Sequence, residues 1–401
     1  MDLKINWPLA SSSWDQLELD AMHGVIDSGN FSMGNVTDLF EKSFARWSGS
    51  RYAVMVNSGS SANLLATAAL AYSRNPNSIE HSRGEVIVPA VSWSTTYFPL
   101  HQLGYKLVFI DVDRESFNID VSLLKKALSP NTVGICGVNL LGEVAEWNAI
   151  SKFAVEHELW TLEDNCESMG AEKDGTPSGR FGNVGTFSFF YSHHICTMEG
   201  GMAITDSEEL YLYMLSLRAH GWARNIPNNS DFFSSVRSNE WQERFRFYLP
   251  GYNLRPLELS SAIGLEQLKK FPKLLDMRRQ NAEKLSQLMK YQGSSWRLQK
   301  TSPGSSHFTF GLVNSNSRTG KASRDTLVEL LESEGIQTRP IVAGNFLTNP
   351  VMRYLPHRVV GNLENAQFIH DNGLMIGNHH FDLSEKFPRL IELLVASERQ
   401  S

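Results

Sequence analysis

With 401 residues and a formal net charge of -6, the chain is long enough for roughly two to three domains of ordinary size. Its 41% hydrophobic and 20% charged residues fit a soluble globular protein, and an acidic balance without any basic run excludes a general nucleic-acid binder. No apolar run reaches the about eighteen residues of a membrane span. The N-terminus MDLKINWPLASSSWDQ lacks the basic start and apolar stretch of a signal peptide.

Behind an N-terminal arm, residues 15–26 carry apolar side chains at helical spacing, and 37–47 predict a second amphipathic helix with Thr37 as its cap. Alternation then begins. Short apolar strands are predicted at 52–57, 85–89, 106–111, 133–138 and 159–164, separated by helices at 62–72, 94–103, 121–127 and 147–157. That order indicates a mostly parallel sheet covered on both faces. The polar, aromatic stretch 226–247 reads as a long loop, and 257–288 as a strong helix. Strand-like segments at 307–313 and 337–342 flank a helix at 324–334, and a last helix follows Leu383. The expected division is an arm and helix over 1–30, a large domain over 31–270 and a smaller α+β domain over 271–401.

Ligands in such sheets sit beyond the carboxyl ends of the strands. Three segments place polar residues there. Ser58-Gly59-Ser60-Ser61 follows a strand and opens a helix, so its N–H groups and hydroxyls suit a phosphate, although Gly-Ser turns mostly just connect elements. Asp164 ends a strand, where a carboxylate is commonly solvated or caps a turn; it could instead hold a proton on a heteroaromatic nitrogen. Trp93 could stack on a flat ring, though a tryptophan is more often core. Residues 186–205, TFSFFYSHHICTMEGGMAIT, predict a strand, a loop bearing Ser192, His193 and His194, a reversal at Gly200-Gly201 and a second strand. Paired histidines in a loop are commonly surface polar residues. Cys136, Cys166 and Cys196 are odd in number and without metal-ligand spacing, which suits a reducing, cytoplasmic setting.

In combination these features resemble the sugar-nucleotide aminotransferases of fold type I, the DegT/DnrJ/EryC1/StrS family. The likeness runs along nearly the whole chain, through VNSGSSANLLA (56–66), EVIVPAVSW (85–93), VFIDVDRESFNID (108–120), LEDNCESMGA (162–171) and LPGYNLRPLELSSAIGLEQLKKF (249–271). It implies an α/β, aspartate aminotransferase-like fold with a large, mostly parallel sheet domain and a smaller α+β C-terminal domain, assembled as a homodimer with shared active sites. The chain departs from the family at one place. The family loop reads Ser-Phe-x-x-x-Lys, and its lysine holds pyridoxal phosphate covalently; the matching residue here is His193. An imidazole cannot form that bond, but with an ordinary pKa of about 6.5 it can move protons at neutral pH.

That exchange is characteristic of the sugar 3-dehydratase branch of the family, which SHHICTMEGG, LRAHGWARN (217–225), TRPIVAGNF (338–346) and IHDNGLMIGNHH (369–380) also resemble. The resemblance implies pyridoxamine phosphate held noncovalently, alternating with pyridoxal phosphate, and loss of the C3 hydroxyl from a GDP- or CDP-linked 4-keto-6-deoxyhexose, with L-glutamate restoring the amine. Residue by residue it implies His193 as the catalytic group and Gly59, Ser60 and Ser188 at the cofactor phosphate. Trp93 would stack on the ring, Asp164 would hold its nitrogen, Glu167 would lie near its hydroxyl, and Asn253 would reach the partner's phosphate. Ser192, His220 and Arg224 would face substrate. Cys166 matches the first of four cluster ligands in one relative, but the stretch after Arg224 supplies no cysteine, so no iron–sulfur cluster is expected and Cys166 reads as a small buried residue. Three other readings stay open: an aminotransferase that works without the lysine, a reductase-coupled dehydratase with an external electron route, and a noncatalytic member that binds a nucleotide sugar. Segments 226–247 and 338–356 would decide nucleotide and sugar.

Overall fold

The computed structural model describes residues 5–74, 84–224, 226, 245–316 and 320–400. Its strands are β1 (Tyr52–Val56), β2 (Glu85–Pro89), β3 (Lys106–Ile110), β4 (Thr132–Val138), β5 (Trp160–Asp164), β6 (Glu172–Lys173), β7 (Thr176–Pro177), β8 (Val184–Ser188), β9 (Gly201–Thr205), β10 (Trp296–Leu298), β11 (Thr309–Asn314), β12 (Thr338–Arg339), β13 (His357–Val359) and β14 (Gly373–Gly377). Eight of them form one sheet in the order β1-β9-β8-β5-β4-β2-β3-β13. β9 lies antiparallel between β1 and β8, and the rest run parallel. A second sheet, β10-β11-β14-β12, is antiparallel throughout.

Strands β2 and β5 are buried along their whole length, as expected of parallel strands covered on both faces. Along β2, Val86 and Val88 point into the core shared with helices Gly59–Arg74, Ser94–Gln102 and Glu208–Arg218, while Ile87 points to the opposite core with Trp147 and Ile150. Phe40, Phe44, Phe187 and Phe271 knit helices Asn35–Ser48 and Glu258–Met289 to the β8–β9 end. The second sheet packs its own core of Leu285, Phe310, Leu327, Ile376 and Phe387, into which Trp7 of the N-terminal arm inserts, its Nε1–H donating to the Gly377 carbonyl at 2.8 Å.

Two local expectations need correction. Helix Asn35–Ser48 starts before Thr37, because the carboxylate of Glu258 accepts from the N–H groups of Val36 and Thr37, both at 2.9 Å; a distant side chain supplies the cap. The strand expected over 337–342 is only β12, since Pro340 has no N–H to continue a ladder. The chain then re-enters the large sheet at β13, where Arg358 pairs with the buried Glu85 at 2.7 Å. The hydrogen bond from Arg358, with those from Ser129 and Lys106, outweighs desolvation and brings the Glu85 carboxyl down to about 2. The loop expected over 226–247 lies, apart from 226 and 245–247, outside the described residues.

Helix Glu208–Arg218, which leads to His220, is anchored at its end by a buried ion pair. Arg218, 3% exposed, pairs with Glu41 and donates to the Met55 carbonyl at 2.7 Å, and Glu41 accepts from the Met55 N–H at 2.7 Å. Arg218→Ala leaves that carboxylate enclosed without its cation and is expected to cost about 3–5 kcal/mol. A urea midpoint equal to the parent's would show that water or rearrangement compensates Glu41.

Candidate active site

Ser58 caps helix Gly59–Arg74: its Oγ accepts from the Ser61 N–H and its carbonyl from the Ala62 N–H, both at 3.0 Å. The N–H groups of Gly59 and Ser60 in the first turn have no intrahelical acceptor and stand at the positive end of the helix. A Cβ on Gly59 would lie 2.4 Å from the Ser188 Cβ, and one on Gly201 would lie 2.3 Å from the Ser58 carbonyl oxygen. Glycine at both positions is what lets the ends of β1, β8 and β9 close around this turn, with Ser188 buried beside it.

At the end of β5 the carboxylate of Asp164, 5% exposed, accepts from Asn63 Nδ2 at 2.8 Å, Thr96 Oγ1 at 2.7 Å and the Cys166 N–H at 3.2 Å. Thr96 belongs to the helix that Trp93 precedes, and its N–H bonds the Trp93 carbonyl at 3.1 Å. The Trp93 ring itself is 53% exposed, a large apolar surface at the mouth of the site. Glu167 accepts from the Leu141 N–H at 3.1 Å. Burial pushes its carboxyl up to about 7, the Leu141 N–H opposing and the Asp164 charge adding to the rise.

The histidine loop joins this group through residues 305–308, which lead into β11. Leu141 accepts from the Phe308 N–H at 3.1 Å, and the Phe308 ring lies 5.2 Å from that of His193. His193 Nδ1 is 3.4 Å from Ser192 Oγ; Nε2 has no protein partner among the described residues. His194 is a packing residue: 3% exposed, it meets the Ser306 carbonyl through Nε2 at 3.1 Å and lies against Phe271 and Phe308.

His220, Arg224 and Asn253 form a separate group. His220, at φ 62, donates its N–H to the Tyr252 carbonyl at 2.6 Å and sets its ring edge-on to Trp222. The Arg224 guanidinium lies over Trp222, which stacks on Phe247. Asn253 is exposed and accepts from Arg255 Nε at 3.0 Å. Within one chain, no hydrogen bond among the described residues joins these side chains to the Asp164–His193 group.

A family model described as the DegT/DnrJ/EryC1/StrS aminotransferase family matches residues 13–393. The chain belongs to that family. Among its members the chain is similar to GDP-4-keto-6-deoxy-D-mannose 3-dehydratase of Yersinia pseudotuberculosis, 47% identical over 394 residues that cover 98% of this chain and 99% of the relative. The structure is similar to that of the E. coli GDP-4-keto-6-deoxy-D-mannose-3-dehydratase with bound hydrated PLP, at a TM-score of 0.92 and 47% identity over 97% of this chain and 99% of that one. It matches equally well a GDP-4-keto-6-deoxymannose-3-dehydratase with a trapped PLP–glutamate geminal diamine, at a TM-score of 0.92 and 46% identity over 97% and 100% of the two chains.

The family fold thus accounts for where the polar strand ends meet, but several site residues escape a sequence reading. Asn63 and Thr96, the ligands of Asp164, sit in stretches that read only as helix; a buried asparagine in the apolar run ANLLATAAL was the available signal. Lys173, the nearest lysine to His193 in the sequence, pairs with Glu146 at 2.6 Å. Cys166 is half-buried rather than fully buried, with its thiol pushed well up by burial and by Asp164.

Glu167 has a folded pKa of about 7, above its ordinary 4.5, so the stability it contributes is fully present below 4.5 and is lost as pH rises through 7. Glu167→Gln cannot ionise. In cofactor-free protein it is expected to lose less stability than the parent between about pH 5 and about pH 7.5, read as urea midpoints across that range. Parallel curves for the two proteins would refute the assignment.

Proposed function

We propose that this chain is a pyridoxamine phosphate-dependent 3-dehydratase of a GDP-linked 4-keto-6-deoxyhexose, the activity named for the relatives it matches along its length. The observation that carries this reading is an imidazole, His193, at the loop position where the family's aminotransferases hold their cofactor with lysine. The residues present fit such a cofactor. The Gly59–Ser60 turn is an anion cradle that a Cβ would fill, and Asp164 is a buried acceptor with lone pairs left for a ring N–H. When bound, pyridoxamine phosphate supplies an amine for the C4 ketone and a ring that accepts electrons.

The chain's own groups do the rest. Gly59, Ser60 and Ser188 bind the phosphate, and Asn253 reaches that of the partner. Asp164, its carboxylate oxygens fixed by three donors, keeps a proton on the ring nitrogen, Trp93 stacks on the ring, and Glu167 sits near its hydroxyl. His193 takes a proton at Nε2 and returns one to the departing C3 hydroxyl, while Ser192 orients its Nδ1. His220 and Arg224 face the substrate, and residues 338–356, bridged to β2's end by Val91 and Asn345, contribute to its selection. L-Glutamate fits as amino donor, since a glutamate adduct was trapped in the relative.

A homodimer fits the exposed Leu17, Ile26, Phe31, Leu39 and Leu257 around the first two helices. The proposed working units are the arm over 1–30, the large domain over 31–270 and the small one over 271–401, with β13 crossing between the last two. No helix among the described residues is long and apolar enough to cross a membrane; a cytoplasmic setting is part of this proposal.

The decisive experiment incubates the protein with pyridoxamine phosphate, glutamate and GDP-4-keto-6-deoxymannose and follows the sugar by mass spectrometry. Loss of the C3 oxygen with ammonia released and the ketone retained is expected; a new amino group at C4 would make the protein a transaminase instead. His193→Asn is expected to slow dehydration by at least about 10²-fold while retaining the cofactor. Gly59→Ala is expected to weaken pyridoxamine phosphate binding by about tenfold or more, because the added Cβ displaces Ser188 and the turn from the phosphate. Titration of cofactor fluorescence separates these effects, and equal affinity in Gly59→Ala would remove this turn from the phosphate site.

A further inference from the structure

A histidine that moves protons is commonly oriented by a carboxylate, and His193 has none among the described residues. Its one polar neighbour among the described side chains is Ser192, and its ring is backed by Phe308. Residues 305–308 form a strip fixed from both sides. The Phe308 N–H is held by Leu141, the Ser306 carbonyl meets His194 Nε2, and the Phe308 carbonyl accepts from Arg278 at 2.9 Å.

Arg278 stands on helix Glu258–Met289 with 6% exposure. Its Nη1 donates also to the Asn378 carbonyl at 2.6 Å, and its Nε has no acceptor among the described residues. No carboxylate forms an ion pair with it among the described residues. The titratable groups its charge reaches are His193 and His194 on the loop and His379 and His380 after β14. His307 on the strip feels Arg279 instead. A guanidinium enclosed without counter-charge is costly, which asks for a use.

Resting on the reading of His193 as the proton carrier, we propose that Arg278 is a positioning residue for it. Arg278 clamps the strip that backs the imidazole and, as an uncompensated cation behind the loop, keeps that imidazole neutral and proton-accepting. The same field serves the second half of the cycle. Once His193 is protonated, a nearby positive charge makes the imidazolium a stronger acid, ready to deliver the proton to the leaving hydroxyl. Burial first, and then Arg278, bring the His193 imidazole down to about 4.

The test uses pyridoxamine phosphate-loaded enzyme with ¹³C-labelled histidine, the His193 resonance being assigned by its loss in His193→Asn. In the parent, His193 should titrate well below 6.5. Arg278→Gln should move both this titration and the acid limb of kcat upward by about one unit, and Arg278→Lys should return them toward the parent values. A parent His193 that titrates at or above 6.5, or a folded Arg278→Gln protein with an unmoved titration, overturns the proposal. Should Arg278→Gln not fold, Arg278→Met, of similar length and without charge, is read in the same way; a folded Arg278→Met protein whose His193 titration and acid limb match the parent's overturns the proposal. Dehydration surviving in His193→Asn would instead overturn the functional reading of His193, so the two failures are distinguishable.

Discussion

Burying the charge of Asp164 is the constraint from which the rest of the site follows. A carboxylate enclosed at the end of β5 is tolerable only with donors on its oxygens. The three it has come from separate places: Asn63 on the helix after β1, Thr96 on the helix after β2, and the Cys166 N–H of its own turn. Satisfying one charge therefore fixes the two helices that carry the anion cradle and Trp93 relative to the sheet. Site geometry and core stability are here the same set of hydrogen bonds.

The second constraint is steric. At Gly59 and Gly201 backbone and side chains approach so closely that no Cβ fits, so the Gly59–Ser60 turn and the strand returning from the histidine loop are one packed unit. The electrostatics around His193 run opposite to those of a carboxylate-backed imidazole. Its surroundings are aromatic and its reachable charge is positive, which keeps the resting imidazole neutral and makes it a ready proton donor once protonated.

Much of this was legible in the sequence because it was local. β2 could be bounded to the residue, being a short apolar run between breakers, and the glycine turn, Asp164 and His193 announced themselves by type and order. What could not be read depends on partners far along the chain. The start of helix Asn35–Ser48 is set by Glu258, and β13, the polar His-Arg-Val, is a strand because Arg358 finds Glu85 and the free edge of β3. The ligands of Asp164 and the backing of His193 by Phe308 and Arg278 are products of packing, with no spacing in the sequence to reveal them.

β13 has a mechanical consequence. The four-stranded sheet is attached to the large sheet once through the unbroken helix Glu258–Met289 and again, at the far edge, through the pairing of β13 with β3. A body tethered at two separated points cannot swing about a single hinge. Under the proposed function, admission of a nucleotide sugar would therefore rest on loops at the rim of the cleft rather than on rotation of the four-stranded sheet.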